Sequence, residues 1–187
     1  WWYETDGWVG GDDSVLKNSF FKVNDDVVKL YFERQRVQNL VVYKQGNGAV
    51  FQLGWGSEQG ADSNVDDIYV VNDETTYNQP GLEGNRAFLN CANGKAGNTA
   101  HNLDLSHIVY DKDLSYAIGI KTQGNYSGIR IHDLNVAGRQ RFKSYLAGGT
   151  ISDVLFDHVN IGGDCASATL LDLRTAGSVS NVRYQCP

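Results

Sequence analysis

A short phrase that recurs along the chain is the feature that most constrains its fold. A small or polar pair is followed by alternating apolar residues, and this pattern occurs seven times. Periods of roughly 20–50 residues are typical of solenoids and repeat arrays. The spacings here are 21, 28, 35, 26, 25 and 28 residues, unequal but of one size. The copies are anchored at Asn18, Asn39, Asp67, Asn102, Gly128, Asp153 and Asn181.

Within each interval the pattern indicates short strands, because apolar and polar residues alternate and no stretch has a 3.6-residue period long enough for a crossover helix. Turns rich in Gly, Asn and Asp separate them, as at residues 43–48 and 119–128. Stacking equivalent strands of successive units would pair their backbone groups at ~4.8 Å per layer. We therefore predict an all-β parallel β-helix of about seven coils, forming one domain over residues 1–187.

A β-sandwich is the competing architecture, because it also spaces short strands with turns. Its hairpins would need frequent two-residue Asn-Gly or Asp-Gly loops. Such pairs are rare in this sequence, so we favour the β-helix, in which differences between the intervals become surface loops.

The charge distribution limits the kind of partner. The net charge is -6, the sequence pI is near 5.1, and the basic residues do not run together. Nucleic acid and anionic membrane are therefore not expected partners, and no apolar run long enough to span a bilayer occurs. A neutral ligand fits this composition better.

The amino-terminal residues already have strand-like sequence and lack an initiator Met. We therefore expect this chain to be the carboxy-terminal part of a longer polypeptide. An open coil end exposes unpaired strand edges, so we expect another domain or chain to cover the amino-terminal end of the stack.

The three cysteines, Cys91, Cys165 and Cys186, do not have metal-ligand spacing. The last two are 21 residues apart and can bridge in an oxidising compartment. Three buried thiols are an equally good interpretation.

Three aspartates stand out by their spacing as candidate catalytic residues. Asp6 precedes Asp25 by 19 residues and Asp26 by 20, about one coil of a narrow β-helix. They should therefore meet on one patch of the stack. Adjacent strand residues point to opposite faces, so we expect the backbone to bend at Asp25 and Asp26. The pairs Asp12-Asp13 and Asp66-Asp67 are interpreted as ordinary turn dipeptides.

Clustered carboxylates suit glycoside hydrolysis. Like-charge repulsion raises the pKa of at least one of them, as a general acid at neutral pH requires. Inverting hydrolysis needs one protonated carboxyl and a second carboxylate to activate water, roughly 6.5–9.5 Å apart. Residues on adjacent coils, displaced along the strand, can meet that distance.

Residues on the same coils are candidates for substrate binding, since sugar rings stack on aromatic faces and sugar hydroxyls bind polar groups. Aromatic stacking within the coils is the alternative for tryptophans, and a counterion role is the alternative for Lys29. The four histidines are scattered, and His132 and His158 are predicted to stack on successive coils. We predict no metal and no cofactor. The candidate binding residues are Lys29, Tyr31, Lys44, Gln52 and Trp55.

Residues 5–7 (TDG), 23–29 (VNDDVVK) and 42–55 (VYKQGNGAVFQLGW) resemble segments of the dextranase and isopullulanase family, glycoside hydrolase family 49. The resemblance implies a right-handed, pectin-lyase-like β-helix in a secreted, inverting hydrolase of α-glucans, preceded by a β-sandwich domain. Carried over by matching position, Asp25 would be the general acid, and Asp6 and Asp26 would activate the nucleophilic water.

The sequence departs from the family pattern at two places. Phe21-Lys22 stands where the family usually has Trp-His, and Gln45-Gly46-Asn47 stands where it usually has Cys-His-Asn. A different linkage or another sugar is therefore open, including α-1,3-glucan or polygalacturonate. A non-catalytic glycan-binding or adhesion β-helix is the rival hypothesis, and a β-helix lyase or epimerase is a third.

Overall fold

The computed structural model describes residues 5–73, 87–91, 93–114, 116–121, 123–141, 144–167, 169–170 and 174–186. Within these ranges the regular secondary structure consists of strands. Among the same residues, no helix is long and apolar enough to cross a bilayer.

Fifteen strands are assigned in the described part of the chain. They are β1 (Trp8–Val9), β2 (Val15–Val23), β3 (Val28–Lys29), β4 (Arg36–Lys44), β5 (Phe51–Gln52), β6 (Gln59–Ala61), β7 (Asn64–Asp73), β8 (Ala87–Cys91), β9 (Thr99–Tyr110), β10 (Tyr116–Lys121), β11 (Asn125–Val136), β12 (Tyr145–Asp157), β13 (Asn160–Ile161), β14 (Asp164–Cys165) and β15 (Arg174–Gln185).

The strands stack in parallel into two long columns. One column contains β2, β4, β7, β9, β11, β12 and β15, one strand from each of seven coils. The other runs from β1 through β3, β5, β8 and β10 to the first part of β12. Among the described strands, β13 and β14 form the antiparallel pair. The predicted parallel β-helix of about seven coils is confirmed.

The recurring phrase corresponds to sharp bends with a left-handed φ, two in each of the first six coils and one in the seventh. Asn, Asp and Gly tolerate this conformation better than other residues, which explains their recurrence there. One column of bends contains Asp13, Arg34, Asp62, Asn102, Gly128, Asp153 and Asn181. The second, five residues further along each coil, contains Asn18, Asn39, Asp67, His107, Asp133 and His158.

The strand register corrects one step of the predicted repeat. The first three anchors lie in the second column of bends and the last four in the first, so the interval from Asp67 to Asn102 is not a coil. The coil there runs from Asp62 to Asn102, 40 residues apart, and the Asn102 amide donates to the Asp62 carboxylate at 2.9 Å. The other spacings hold, because each joins positions within one column. Asp13 and Asp67 are bend residues, as predicted for turn dipeptides.

Apolar side chains from both columns fill the interior as one continuous core. At its carboxy-terminal end, Cys165 and Cys186 form a disulfide with their Cα atoms 6.0 Å apart. Of the two interpretations of the cysteines, the bridge is therefore correct. Cys91 is a free, buried thiol.

Candidate active site

The three candidate acids meet at the start of the column that runs from β1 through β3 and β5. Asp6 lies just before β1, while Asp25 and Asp26 lie in a bend between β2 and β3. Because Trp8 pairs with Val28 in the parallel register, Asp6 is beside Asp26 on the neighbouring coil. One carboxylate oxygen from each acid lies within 4.8 Å of the other two. The predicted cluster and the predicted bend are both present.

Asn24 holds the bend in place by joining three successive coils. Its backbone N–H donates to the Thr5 hydroxyl at 3.0 Å, and its side-chain oxygen accepts from the Gly46 N–H at 3.1 Å. The residues that follow it, Asp25 and Asp26, are both buried, at 8% and 5% exposure. A regular strand would point one of them away, so the bend is what allows both carboxyls to face the same patch.

The Asp26 carboxylate accepts hydrogen bonds from two donors on the next coil. It accepts the Ala49 N–H at 2.8 Å and the Gln52 amide at 3.2 and 3.3 Å. Burial raises the pKa of Asp26 above its ordinary value, while these donors act in the opposite direction because they favour the anion. Burial outweighs these donors, so the pKa of Asp26 stays above its ordinary value even though its partners suit a carboxylate.

The titration of Asp25 falls near neutrality. Burial, followed by repulsion from Asp26 and Asp6, raises the pKa of Asp25 to about 7. The Asn47 amide donates to one of its oxygens at 3.0 Å, and the Asp26 N–H donates to the other at 2.9 Å. A carboxyl with this pKa can give up a proton at neutral pH, as general acid catalysis requires.

Asp6 is more exposed, at 46% of its side chain, and forms an ion pair with Lys29 at 2.6 Å. The Lys29 ammonium also lies 5.8 Å from the ring centroid of Tyr31. Burial raises the pKa of the Tyr31 phenol, and the negative charges of Asp26, Glu58 and Asp6 add to the effect. Tyr31 therefore lies within electrostatic reach of the acid cluster and of Glu58.

Two residues predicted to bind substrate are buried and offer no surface to a ligand in this structure. Lys44 is 1% exposed and its ammonium faces the interior. Gln52 is 0% exposed and its amide is directed at Asp26. The expectation of direct sugar contact is corrected for both. The coil turns the Gln52 side chain towards Asp26 and the Lys44 side chain towards the carbonyls of Gln45 and Asn47.

Trp55 has the exposure that a sugar platform needs, at 44%. Its loop is held by the Glu58 carboxylate, which accepts the backbone N–H groups of Trp55 and Gly56 at 3.1 and 2.7 Å. Tyr31 is half-buried and Lys29 keeps 19% of its side chain exposed. These three predicted binding residues are thus able to present atoms to a ligand.

Sequence reasoning missed the supporting residues Asn24, Asn47, Ala49 and Glu58. Asn47 is 22 residues from Asp25, close to the spacing that identified the acids themselves. The signal was therefore available for Asn47. Ala49 acts only through its backbone N–H, for which side-chain identity carries no signal.

The histidines lie in or directly after strands of the column that contains β9, β11 and β12, away from these acids. His132 pairs in register with Asp157, so the predicted stack of His132 on His158 is wrong. Instead the rings of His132 and His107 lie edge to face, 6.0 Å apart between centroids. In the described part of the chain, Asp6, Asp25 and Asp26 are the one group whose ligand atoms are close enough together to hold a metal ion.

The raised pKa of Asp25 predicts a pH-dependent stability. Its folded pKa of about 7 exceeds the ordinary value of 3.8, so folding favours the protonated form. This stabilisation is fully present below about pH 4 and is lost as the pH rises towards 7. As the pH rises from 4.5 to 8, the natural chain loses this stabilisation and Asp25→Asn does not. The unfolding free energy of Asp25→Asn should therefore rise by about 2 kcal/mol relative to that of the natural chain. This is roughly half the full linkage value, because solvent screens part of the repulsion.

Urea unfolding at several pH values measures this difference, with Asp164→Asn at an exposed position as the control. A stability difference for Asp25→Asn that stays constant across the range would contradict the assigned environment of Asp25.

Comparison with known proteins supports the resemblance seen in the first coils. No protein family model matches the chain. A dextranase of Arthrobacter globiformis is 38% identical over 79 residues, which cover 42% of this chain and 12% of that protein. An isopullulanase of Aspergillus niger is 22% identical over 144 residues, or 71% of this chain and 26% of that protein.

Among solved structures, Dex49A from Penicillium minioluteum superposes with a TM-score of 0.81 at 18% identity. The match covers 97% of this chain and 35% of that one. The fold is therefore shared along nearly the whole chain, while the chain spans only a minor part of each relative's length. The resemblance to dextranases and isopullulanases is confirmed.

Proposed function

We propose that this relative of the dextranases and isopullulanases carries the active site of an inverting hydrolase that cleaves α-glucosidic bonds in a polysaccharide. The observation that carries the proposal is the meeting of Asp6, Asp25 and Asp26, with Asp25 titrating near neutral pH. A protonated carboxyl beside two further carboxylates supplies both the acid and the base that glycoside hydrolysis requires.

In the proposed reaction, Asp25 donates its proton to the glycosidic oxygen as the bond from that oxygen to the anomeric carbon breaks. A water molecule forms the new bond to the anomeric carbon and gives up a proton to Asp6 or Asp26. Two carboxylate oxygens no more than 4.8 Å apart can both accept hydrogen bonds of ~2.8 Å from one water molecule. That geometry supports the shared role of Asp6 and Asp26 in holding the water.

The separation of the acids is shorter than expected. Their nearest oxygens approach within 4.8 Å, whereas inverting enzymes usually separate the two carboxyl groups by roughly 6.5–9.5 Å. The proposed inversion therefore rests on the resemblance to family 49 and on the Asp6 and Asp26 oxygens that can hold one water molecule between them. The separation between the acid and base carboxyls does not support it.

The same relatives and the exposed residues at the site support the proposed substrate class. Trp55 offers an open aromatic face one coil from the acids, and Tyr31 and Lys29 offer polar groups beside them. A neutral α-glucan fits a chain of net charge -6 better than a polyuronate does. The disulfide of Cys165 with Cys186 is of the kind retained outside reducing compartments, which supports a secreted enzyme.

The anomeric form of the first product tests reaction and mechanism together. Proton NMR of the natural full-length protein with dextran, pullulan, nigeran or polygalacturonate should show the β-anomer first from an α-glucan. The β-anomer is expected because a single displacement by water inverts the configuration. Initial α-anomer would overturn inversion, and cleavage of polygalacturonate alone would overturn the substrate class.

The absence of product from all four polymers, together with measurable glycan binding, would replace the enzyme with a glycan-binding β-helix. Activity should also survive a metal chelator, since the proposed reaction uses only protein carboxyls and water.

A further inference from the structure

Lys44 is a charged side chain buried almost completely within one coil of the β-helix. It is 1% exposed, and its ammonium donates to the carbonyls of Gln45 at 3.0 Å and Asn47 at 2.8 Å. Burying an ammonium costs several kcal/mol unless its surroundings compensate for the loss of water. The two carbonyls that help to compensate for this burial belong to Gln45 and Asn47, so Lys44 can act on the position of this segment.

The segment from Gln45 to Ala49 forms the floor on which the two buried acids lie. The Asn47 amide donates to the Asp25 carboxylate at 3.0 Å, and the Asn47 N–H donates to the Asn24 carbonyl at 2.9 Å. Two residues later the Ala49 N–H donates to Asp26 at 2.8 Å. A displacement of this segment would therefore move donors away from both acids at once.

Gly48 makes the fit between floor and acids especially close. A Cβ atom at this position would lie 2.4 Å from the carbonyl carbon and carboxylate of Asp25 and from the Asp26 nitrogen. Its φ of +70° is one that residues with side chains rarely adopt. The turn therefore has little room to rearrange, and a tie on either side of it transmits directly to the acids.

We propose that Lys44 is a positioning residue for the acid pair, whose ammonium holds the 45–49 turn through the Gln45 and Asn47 carbonyls and so keeps the Asn47 amide on Asp25. This inference rests on the proposed function for its kinetic consequences. The positional effect itself does not require that the chain be a hydrolase.

A positioning role differs in measurable ways from the two alternatives. A residue that binds substrate would raise KM when removed. A residue that only supports the coil would lower thermal stability without moving the titration of Asp25. A residue that acts through Asn47 lowers kcat, alters the titration of Asp25, and gives effects that do not add to those of an Asn47 substitution.

The test compares Lys44→Met, Asn47→Ala and the double variant in the full-length protein, with exposed Lys17→Met as the matched control. Lys44→Met should lower kcat about 10- to 100-fold with KM within about twofold of the natural value. The double variant should be little worse than Asn47→Ala. Because the Asn47 donor favours the anion, its displacement should also raise the pKa of Asp25 by about one unit, and the alkaline limb of kcat/KM should move upward accordingly.

Carbon-13 NMR titration of the Asp25 carboxyl gives a readout that is independent of turnover, so a silent enzyme would not hide the positional effect. An unchanged Asp25 titration in folded Lys44→Met would overturn the proposal, as would additive kinetic effects or a rise in KM alone. If Lys44→Met does not fold, Lys44→Gln takes its place in the same titration, because the shorter Gln side chain is not expected to reach both carbonyls. An unchanged Asp25 titration in folded Lys44→Gln would then overturn the proposal.

Discussion

Replacing Asp25 with Asn is expected to lower kcat on the α-glucan substrate about 10³-fold while leaving glycan binding within a few-fold of the natural value. Asn has nearly the same shape as Asp but carries no acidic proton, so the leaving oxygen would depart unprotonated. General acid catalysis contributes about 10²–10⁴-fold in enzymes. Initial rates with reducing-sugar detection, together with a binding isotherm for the same polymer, measure both quantities.

The matched control is Asp12→Asn, which alters an exposed Asp of another adjacent pair. Asp12 accepts the Glu33 N–H at 2.9 Å through one oxygen, and Asn keeps an oxygen that can do the same. This variant should retain full activity. An Asp25→Asn protein that turns over at the natural rate would refute the assigned acid, whereas loss of binding together with activity would indicate a displaced site.

The pH profile gives the Asp25 assignment a second, independent check. A general acid must be protonated to act, and the pKa of Asp25 lies at about 7. Activity of the natural enzyme should therefore decline as the pH rises through that value. In Asp25→Asn this limb should disappear from the residual rate.

Replacing Gly48 with Ala is expected to lower kcat about 10²-fold and the unfolding free energy by about 2–3 kcal/mol, although no reacting atom is changed. The new methyl would lie 2.4 Å from atoms of Asp25 and Asp26, and the φ of +70° disfavours any side chain. Either the acids or the 45–49 turn must move by about 1 Å to relieve the overlap. A displacement of that size can cost about 10²-fold in rate.

Gly11→Ala is the corresponding control, because a Cβ at Gly11 would meet no atom within 4 Å. It should leave both rate and stability unchanged. Thermal melts and kinetics below the melting temperature separate a displaced site from an unfolded protein. Natural kcat in a folded Gly48→Ala protein would contradict the close fit between this turn and the acids.

The fold was predictable because each coil requires backbone bends that few residue types adopt readily, and those residue types recur along the sequence. These bends have a left-handed φ, and Asn, Asp or Gly recurs at them. The prediction failed where one coil reaches 40 residues, since two columns of bends carry the same residue types. A pattern of residue types cannot tell which of two equivalent columns a copy belongs to, whereas hydrogen-bonded register can.

The acids were predictable for a related reason. Asp6 lies one short coil before Asp25 and Asp26, and a regular stack converts such spacing into contact. The family resemblance added their expected roles. The binding residues fared differently, because Lys44 and Gln52 lie on the correct coils but face inward.

The sequence by itself determined a parallel stack of coils and the meeting of three aspartates on adjacent layers, because both follow from local bend chemistry and from spacing near one coil. Only the tertiary structure decided that burial raises the pKa values of Asp25 and Asp26 and which buried side chains support them. Those properties depend on burial and on donors such as Asn47 and Gln52, which are 22 and 26 residues away from their acids. Desolvation and hydrogen-bond geometry arise only when the coils pack.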